Sequence, residues 1–318
     1  MDVVIVVHTE FGYVHNREVV YDKRATRGVS QAVPDLIKVA GRYDAKITFA
    51  VMPEVVEYFP KDTGHEIGLH IHPGWEEFRT GDLTFHVGDR YLREHCEQSR
   101  SSTVLTGYPY HEQLGMIRTG ADMLEDELGT RPTTFVSGRW SVDNATVRAL
   151  VDAGMQRDCS ATPHSPPCHH DWSRLPRICM PYHPSGDDYQ EKGSVPLLIV
   201  PVSQMFPAHI ASPEAVPHMG LSWLKACFDE YYRQEMPLFH MCLHSPCMTD
   251  EYFLSIMDDV LRFMSGHPHV HFRFVSEIPE YSPVHPSTLI GPYLLGMNRK
   301  IVAQGVRALI SRLQRRSV

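Results

Sequence analysis

Histidines and carboxylates recur two residues apart where apolar runs end. In Glu66-Ile67-Gly68-Leu69-His70-Ile71-His72 polar and apolar residues alternate, which reads as a strand. Residues two apart on a strand point the same way, so His70 and His72 project together. Pro73-Gly74 stops the strand and leaves both imidazoles at its C-terminal mouth. A first run, Val3 to Val7, leads into His8-Thr9-Glu10, and His8 and Glu10 share a face by the same period. Such pairs suit metal or proton chemistry; their plain alternative is a strand end capped by histidines with no metal. With parallel strands, the C-terminal mouth is where α/β folds carry chemistry.

The elements that must position these residues follow a repeating order. After the first strand, Val29 to Tyr43 has helical spacing through Val33, Ile37 and Ala40. A strand over 46–51, a short helix around Glu54 to Phe59 and the His-x-His strand complete a β-α-β-α-β unit, the pattern of a parallel sheet. A helix over Glu112 to Leu128 carries Leu114, Ile117, Ala121, Leu124 and Leu128 on one stripe and ends at Gly129. Strands follow over Thr133–Ser137, Met155–Ser160, Leu197–Val202, Leu238–Leu243 and Val270–Val275. Helices are expected over Asn144–Ala153, near Ser222–Arg233 and over Asp250–Ser265. Seven or eight βα units predict a distorted (β/α)7–8 barrel in the α/β class over residues 1–283, with residues 284–318 as an extension. Two long polar excursions, Glu76 to Tyr108 and Thr162 to Pro196, overhang the mouth, and loops of such length are commonly functional.

Composition narrows the classes. The 318 residues are 42% hydrophobic and 21% charged, an ordinary globular balance. A net charge of −8 gives no general reason to expect nucleic acid, whereas 20 histidines favour metal or proton chemistry. Seven cysteines, an odd number without a Cys-x-x-Cys pair, fit reduced thiols and a cytoplasmic setting. Cys168-His169-His170 lies in a Pro-rich loop without a second pair and is taken as loop. The opening strand is too short for a signal sequence, and no apolar run approaches a membrane span.

With these pieces placed, the chain from the first strand to about Glu277 resembles the polysaccharide deacetylase (NodB-type) family. His8-Thr9-Glu10 stands where the family has an acidic pair, and Gly64-His65-Glu66-Ile67-Gly68 with His70 resembles its GHEIGxH motif. Phe135-Val136-Ser137-Gly138-Arg139-Trp140 is similar to the arginine motif, Asp158-Cys159-Ser160 to the Asp-Ser strand end, and Leu243-His244-Ser245 to the late histidine strand. The helix leading to Gly129-Thr130-Arg131-Pro132 is a further match. Two features depart from the pattern: Gly74 occupies the second histidine position of HxxxH, with His72 in its stead, and His8 replaces the aspartate base.

The resemblance implies a hydrolase that removes N-acetyl, or O-acetyl, groups from a sugar or glycan. Glu10, His70 and His72 would hold the divalent metal, one oxygen and two nitrogens with a position left open. Zinc suits that set, as do cobalt, nickel or iron(II). His8 would be the general base, kept neutral by the metal and Arg139, or else a fourth ligand. Arg139 and Asp158 would pair, a backbone N–H just after Arg139 would steady the oxyanion, and His244 would protonate the departing amine. Trp75, Tyr108, Tyr110, Trp172, Tyr182 and Tyr189 either stack on sugar rings or pack on the barrel rim. Three rival readings remain: a non-catalytic glycan- or metal-binding homologue, an amidohydrolase-type C–N hydrolase, and a retaining glycosidase using Glu10 and Asp158.

The last stretch has its own chemistry. After Glu280 there are six basic residues (Arg299, Lys300, Arg307, Arg312, Arg315, Arg316) and no acidic one, so the rest of the chain bears −14. Ile301, Val302, Val306, Leu309, Ile310 and Leu313 fall on one helical face, which can lie on an anionic membrane or pack on the acidic body or a second subunit. Packing is the expectation. Full-length protein and a chain ending near Pro283 should then partition identically with anionic liposomes, and greater retention of the full-length protein would mark membrane contact.

Overall fold

A computed structural model describes residues 1–22, 25–73, 76–78, 81–83, 104–163, 171–205 and 209–284. Cys168-His169-His170, Trp75 and the basic extension beyond Val284 lie outside the described residues.

The sheet is organised around its first strand, β1 (Asp2–Thr9), whose residues Val3 to Val7 are all fully buried. Burial on both faces explains the uninterrupted apolar run, since a parallel strand covered on two sides has no polar face. Val3, Ile5 and Val7 pack outward in the larger core, while Val4 and Val6 point into the barrel with Ala50, Val136 and Val200. The other strands are β2 (Thr48–Val51), β3 (Glu66–Ile71), β4 (Thr134–Ser137), β5 (Arg157–Asp158), β6 (Leu198–Ile199), β7 (Leu238–His244) and β8 (His271–Arg273). Their order is β6-β5-β4-β3-β2-β1-β7, with β8 also on β1, and every pair is parallel. One edge of β1 is shared in sequence: Asp2–Val4 pair with β8 and Val6–Thr9 with β2.

The far end of the sheet curls back to β7. Ser203 N–H donates to the His240 carbonyl at 3.0 Å, and His240 N–H donates to Ser203 Oγ at 2.9 Å. The result is the distorted barrel expected from the βα order. The strands β5 and β6 are shorter than the sequence pattern suggests. Among the described residues β6 has β5 alone as a sheet neighbour, and its outer edge carries an antiparallel bridge from Tyr182.

Helices α1 (Ala32–Gly41), α2 (Tyr110–Leu128), α3 (Asn144–Asp152), α4 (Leu221–Arg233) and α5 (Glu251–Ser265) contribute apolar residues to the larger core. α2 ends at Gly129, whose φ of 70° is the left-handed turn that stops a helix without a Cβ clash. α3 starts from a capping box: Asp143 accepts from the Thr146 N–H and the Thr146 hydroxyl from the Asp143 N–H.

Glu66, in the GHEIG stretch, ties the N-terminal end of the barrel. Its carboxylate accepts from Thr134 Oγ1 at 2.6 Å, from Thr48 Oγ1 at 2.7 Å and from the Ser276 N–H at 3.1 Å. Thr48 Oγ1 in turn accepts from the Val275 N–H at 3.1 Å. One side chain thus joins β2, β3, β4 and the chain after β8. Replacing it should loosen the barrel at the end remote from the histidines. Glu66→Ala is expected to lower unfolding free energy by about 2–4 kcal/mol, read as a lower urea midpoint.

Candidate metal centre

The mouth of the barrel collects its polar residues by register. His8 on β1 pairs with His244 on β7, and His70 on β3 pairs with Val136 on β4. Register partners in a parallel sheet share a face, and Val136 belongs to the inner cluster, so His8, His70 and His244 form a row inside the rim. Glu10 lies just past β1, where its N–H donates to Ser245 Oγ at 3.1 Å. The turn of Arg27–Ser30 lies against it, and a Cβ on Gly28 would stand 2.8 Å from the Glu10 carbonyl oxygen.

Glu10 Oε1 lies 2.8 Å from His70 Nε2 and 3.4 Å from His72 Nε2. His70 Nδ1 donates to the Val136 carbonyl at 2.9 Å, which leaves Nε2 as the basic nitrogen of the neutral ring. A lone pair and a carboxylate oxygen therefore face each other at the distance of a hydrogen bond. Only a proton or a cation between them makes that contact favourable. Burial pushes the His70 imidazole below its ordinary range, which favours the neutral ring. Burial opposes charge on Glu10 also, yet the neighbouring imidazoles of His70 and His72 hold its carboxyl well below the usual range. His72 stands one residue beyond β3, with its ring laid on Gly138; a Cβ there would come within 2.6 Å of His72 Cγ. The donor atoms of Glu10, His70 and His72 converge within 4.8 Å of one another, as do those of His8, Glu10 and His244. The donor set thus fits a divalent metal.

His8 is buried and its Nε2 has no partner. Burial, then the imidazoles of His70 and His244, hold its pKa well below the ordinary value, so the ring is neutral. The expected neutrality is present, but burial leads its causes, and Arg139 is not among them. His244 is governed by a residue the sequence did not single out. Glu214, in the turn Pro213–Ala215, accepts from the His244 N–H at 2.6 Å and faces Nδ1 with both oxygens at 3.0 and 3.1 Å. Burial disfavours charge on His244, but the Glu214 carboxylate, aided by Glu10, carries its pKa up to about 9. Nothing in the local pattern marks Glu214; it lies 30 residues upstream, outside any strand.

A cavity of about 210 Å³ opens over these groups, lined by His8, Glu10, Tyr21, His72, Arg139, Trp140 and His244. Arg139 and Trp140 both have left-handed backbones, φ 56° and 58°. That conformation costs a non-glycine residue about 1–2 kcal/mol. Neighbouring bonds hold it: Trp172 Nε1 donates to the Trp140 carbonyl at 3.0 Å, and Ser137 Oγ to the Ser141 carbonyl at 2.6 Å. Trp140 packs its ring 4.9 Å from His8. Of the aromatics read as either stacking on sugars or packing at the rim, Tyr108, Trp172 and Tyr182 are buried in the core, and Tyr110 and Tyr189 pack against it. Trp140 and Tyr21 form the aromatic wall instead.

Asp158 departs from expectation. It pairs in register with Phe135 and Ile199, both outer-core residues, so its side chain leaves the barrel on the helix side. Its Oδ1 accepts from Ser160 N–H at 3.1 Å and Ser160 Oγ at 2.5 Å, its Oδ2 has no partner, and it does not pair with Arg139. Asp158 is therefore not part of the cavity, and the facing carboxylate pair of a retaining glycosidase is missing among the described residues.

Burial pushes the Asp158 carboxyl up to about 7. A raised carboxyl binds its proton more tightly folded than unfolded, so its stabilising effect is full below the ordinary value near pH 4 and lost as pH rises to 7. Asp158→Asn keeps an acceptor for Ser160 without the charge. Urea unfolding should show the variant more stable than wild type at pH 8, by up to ~4 kcal/mol, with the difference vanishing near pH 4.

No protein-family model matches the sequence, and no curated protein matches it. Solved structures do match. A protein described as a polysaccharide deacetylase from Mycobacterium smegmatis aligns with a TM-score of 0.57 at 14% identity, over 90% of this chain and 94% of that one. The PuuE allantoinase aligns at 0.52 and 16% identity, over 86% and 87%. A protein described as a polysaccharide deacetylase from Pseudomonas aeruginosa PAO1 aligns at 0.51 and 14%, again over 86% and 87%. At such identities the likeness is one of architecture. The chain has the fold of the polysaccharide deacetylases, as its motif order implied.

Proposed function

We propose that the chain is a metal-dependent hydrolase that removes acetyl groups, N-linked or O-linked, from a carbohydrate. The observation that carries this reading is the contact of His70 Nε2 with Glu10 at the mouth of a deacetylase fold. Its geometry is set by the His70–Val136 bond for a cation shared with His72. Glu10, His70 and His72 would hold the ion, which supplies Lewis acidity toward the acyl carbonyl and lowers the pKa of water. Zinc suits the donor set, and cobalt, nickel or iron(II) fit it also.

The chain's own groups supply the proton transfers. His8, neutral and lining the cavity, accepts the proton of the attacking water. His244, positioned through Nδ1 by Glu214, presents Nε2 to the cavity and gives its proton to the departing amine or alcohol. The backbone N–H that follows Arg139 is set by the left-handed turn at the rim and serves the oxyanion. The walls of Trp140 and Tyr21 offer π-faces for a sugar ring.

A second reading is favoured by the match to an allantoinase on the same architecture: hydrolysis of a C–N bond in a small amide at the same metal and base. Acetate release from N-acetylated and O-acetylated sugars, assayed beside ring opening of cyclic amides, separates the two. With one equivalent of metal, His70→Ala or His72→Ala should abolish both bound metal and acetate release. His8→Ala should keep the metal and lose turnover by about 10²–10⁴-fold. Unchanged turnover in that variant rules His8 out as the base.

A further inference from the structure

Two groups of donors at this mouth share one carboxylate. Glu10, His70 and His72 converge on one position, and His8, Glu10 and His244 on another, each within 4.8 Å. The proposed hydrolase needs the first alone. The second has the marks of a ligand set in its own right. His8 Nε2 is a buried ring nitrogen with no partner, in a residue that lines the cavity. A buried imidazole nitrogen left without a bond is destabilising, and an occupant would supply the missing partner.

His244 has the outer partner typical of a metal-ligating histidine. Glu214 holds Nδ1 with both carboxylate oxygens, which fixes the ring and turns Nε2 toward the cavity. Glu10 has two oxygens, and its contacts with His70 and His72 both use Oε1. Oε2 is left for the other side. Carboxylates that bridge in this way are the usual link of two-metal sites, whose ions lie ~3.5–4 Å apart.

We propose that a second divalent cation binds between His8, Glu10 and His244, bridged to the first through Glu10, and that its binding inhibits the hydrolase. The inference rests on the function proposed above for its inhibitory part. Inhibition follows from the residues taken: the cation occupies the lone pair of His8 that would accept a proton and the Nε2 of His244 that would give one. The second position should be the weaker, because its ion binds beside a charge already present. Excess metal would then limit the enzyme, and one equivalent would serve it best.

The test uses full-length protein stripped of metal and titrated with cobalt(II) or manganese(II), with stoichiometry read by equilibrium dialysis. Two ions per chain are expected, the second with an affinity at least tenfold lower. His8→Gln and His244→Gln should each reduce the count to one, while His72→Gln removes the tighter ion. Manganese-loaded wild type should show an exchange-coupled electron paramagnetic resonance spectrum that either substitution abolishes. That coupling distinguishes a neighbouring ion from one bound by surface histidines. One ion at saturation, or two uncoupled ions, would overturn the second position and leave the first untouched. No bound ion at all would overturn the proposed metal-dependent function as well. Under the deacetylase assay, turnover should fall as the second equivalent is added, and a rise with the second ion would overturn the inhibitory role.

Discussion

The site depends on keeping one carboxylate ionised where little water reaches it. Glu10 is nearly enclosed, and a buried charge survives only with partners. Among the described residues its side-chain partners are two imidazoles and no guanidinium or ammonium. The difference is chemical. An arginine would neutralise the carboxylate permanently, since it has donors only, whereas a histidine can give the same space a lone pair. A carboxylate held by imidazoles can therefore exchange a proton for a metal ion, and the mouth remains a place where chemistry can enter.

The rest of the barrel serves that arrangement. β1 is apolar on both faces until its last residues, so its register against β2 and β7 is set by packing before polar groups are reached. That register sets His8 beside His244, and the β3–β4 register supplies the carbonyl that orients His70. Glu66 ties the opposite end, so the same strand, β3, carries a clamp at its start and leads into the site's histidines at its finish. Stability and chemistry are kept at opposite ends of a six-residue strand.

Much of this was legible in the sequence because it is local. Period two places His70 with His72 and His8 with Glu10, and proline and glycine mark where the strand stops. The βα rhythm gave the barrel and nearly all its strands. What was not legible is nonlocal. Asp-Cys-Ser looks like a catalytic strand end, but which of its residues face inward is decided by pairing with Phe135 and Ile199, and that parity sends Asp158 outward. Glu214 reaches His244 across the fold from a short turn with no periodic signal. The excursion aromatics were ambiguous because stacking and packing use the same residues. Burial of Trp172, with its N–H on the Trp140 carbonyl, shows that this one supports the wall and does not form it.

The left-handed pair at Arg139 and Trp140 carries an evolutionary consequence. Glycine at Trp140 would relieve the backbone at once, since it adopts positive φ without penalty. It would also delete the indole that stands against His8. Selection for thermal robustness alone would drift toward that glycine, and a tryptophan persists there only while something is gained from the wall it makes. Position 140 thus reports on use: in descendants of this chain that have ceased to need the cavity, it is the first place where relaxation brings a benefit.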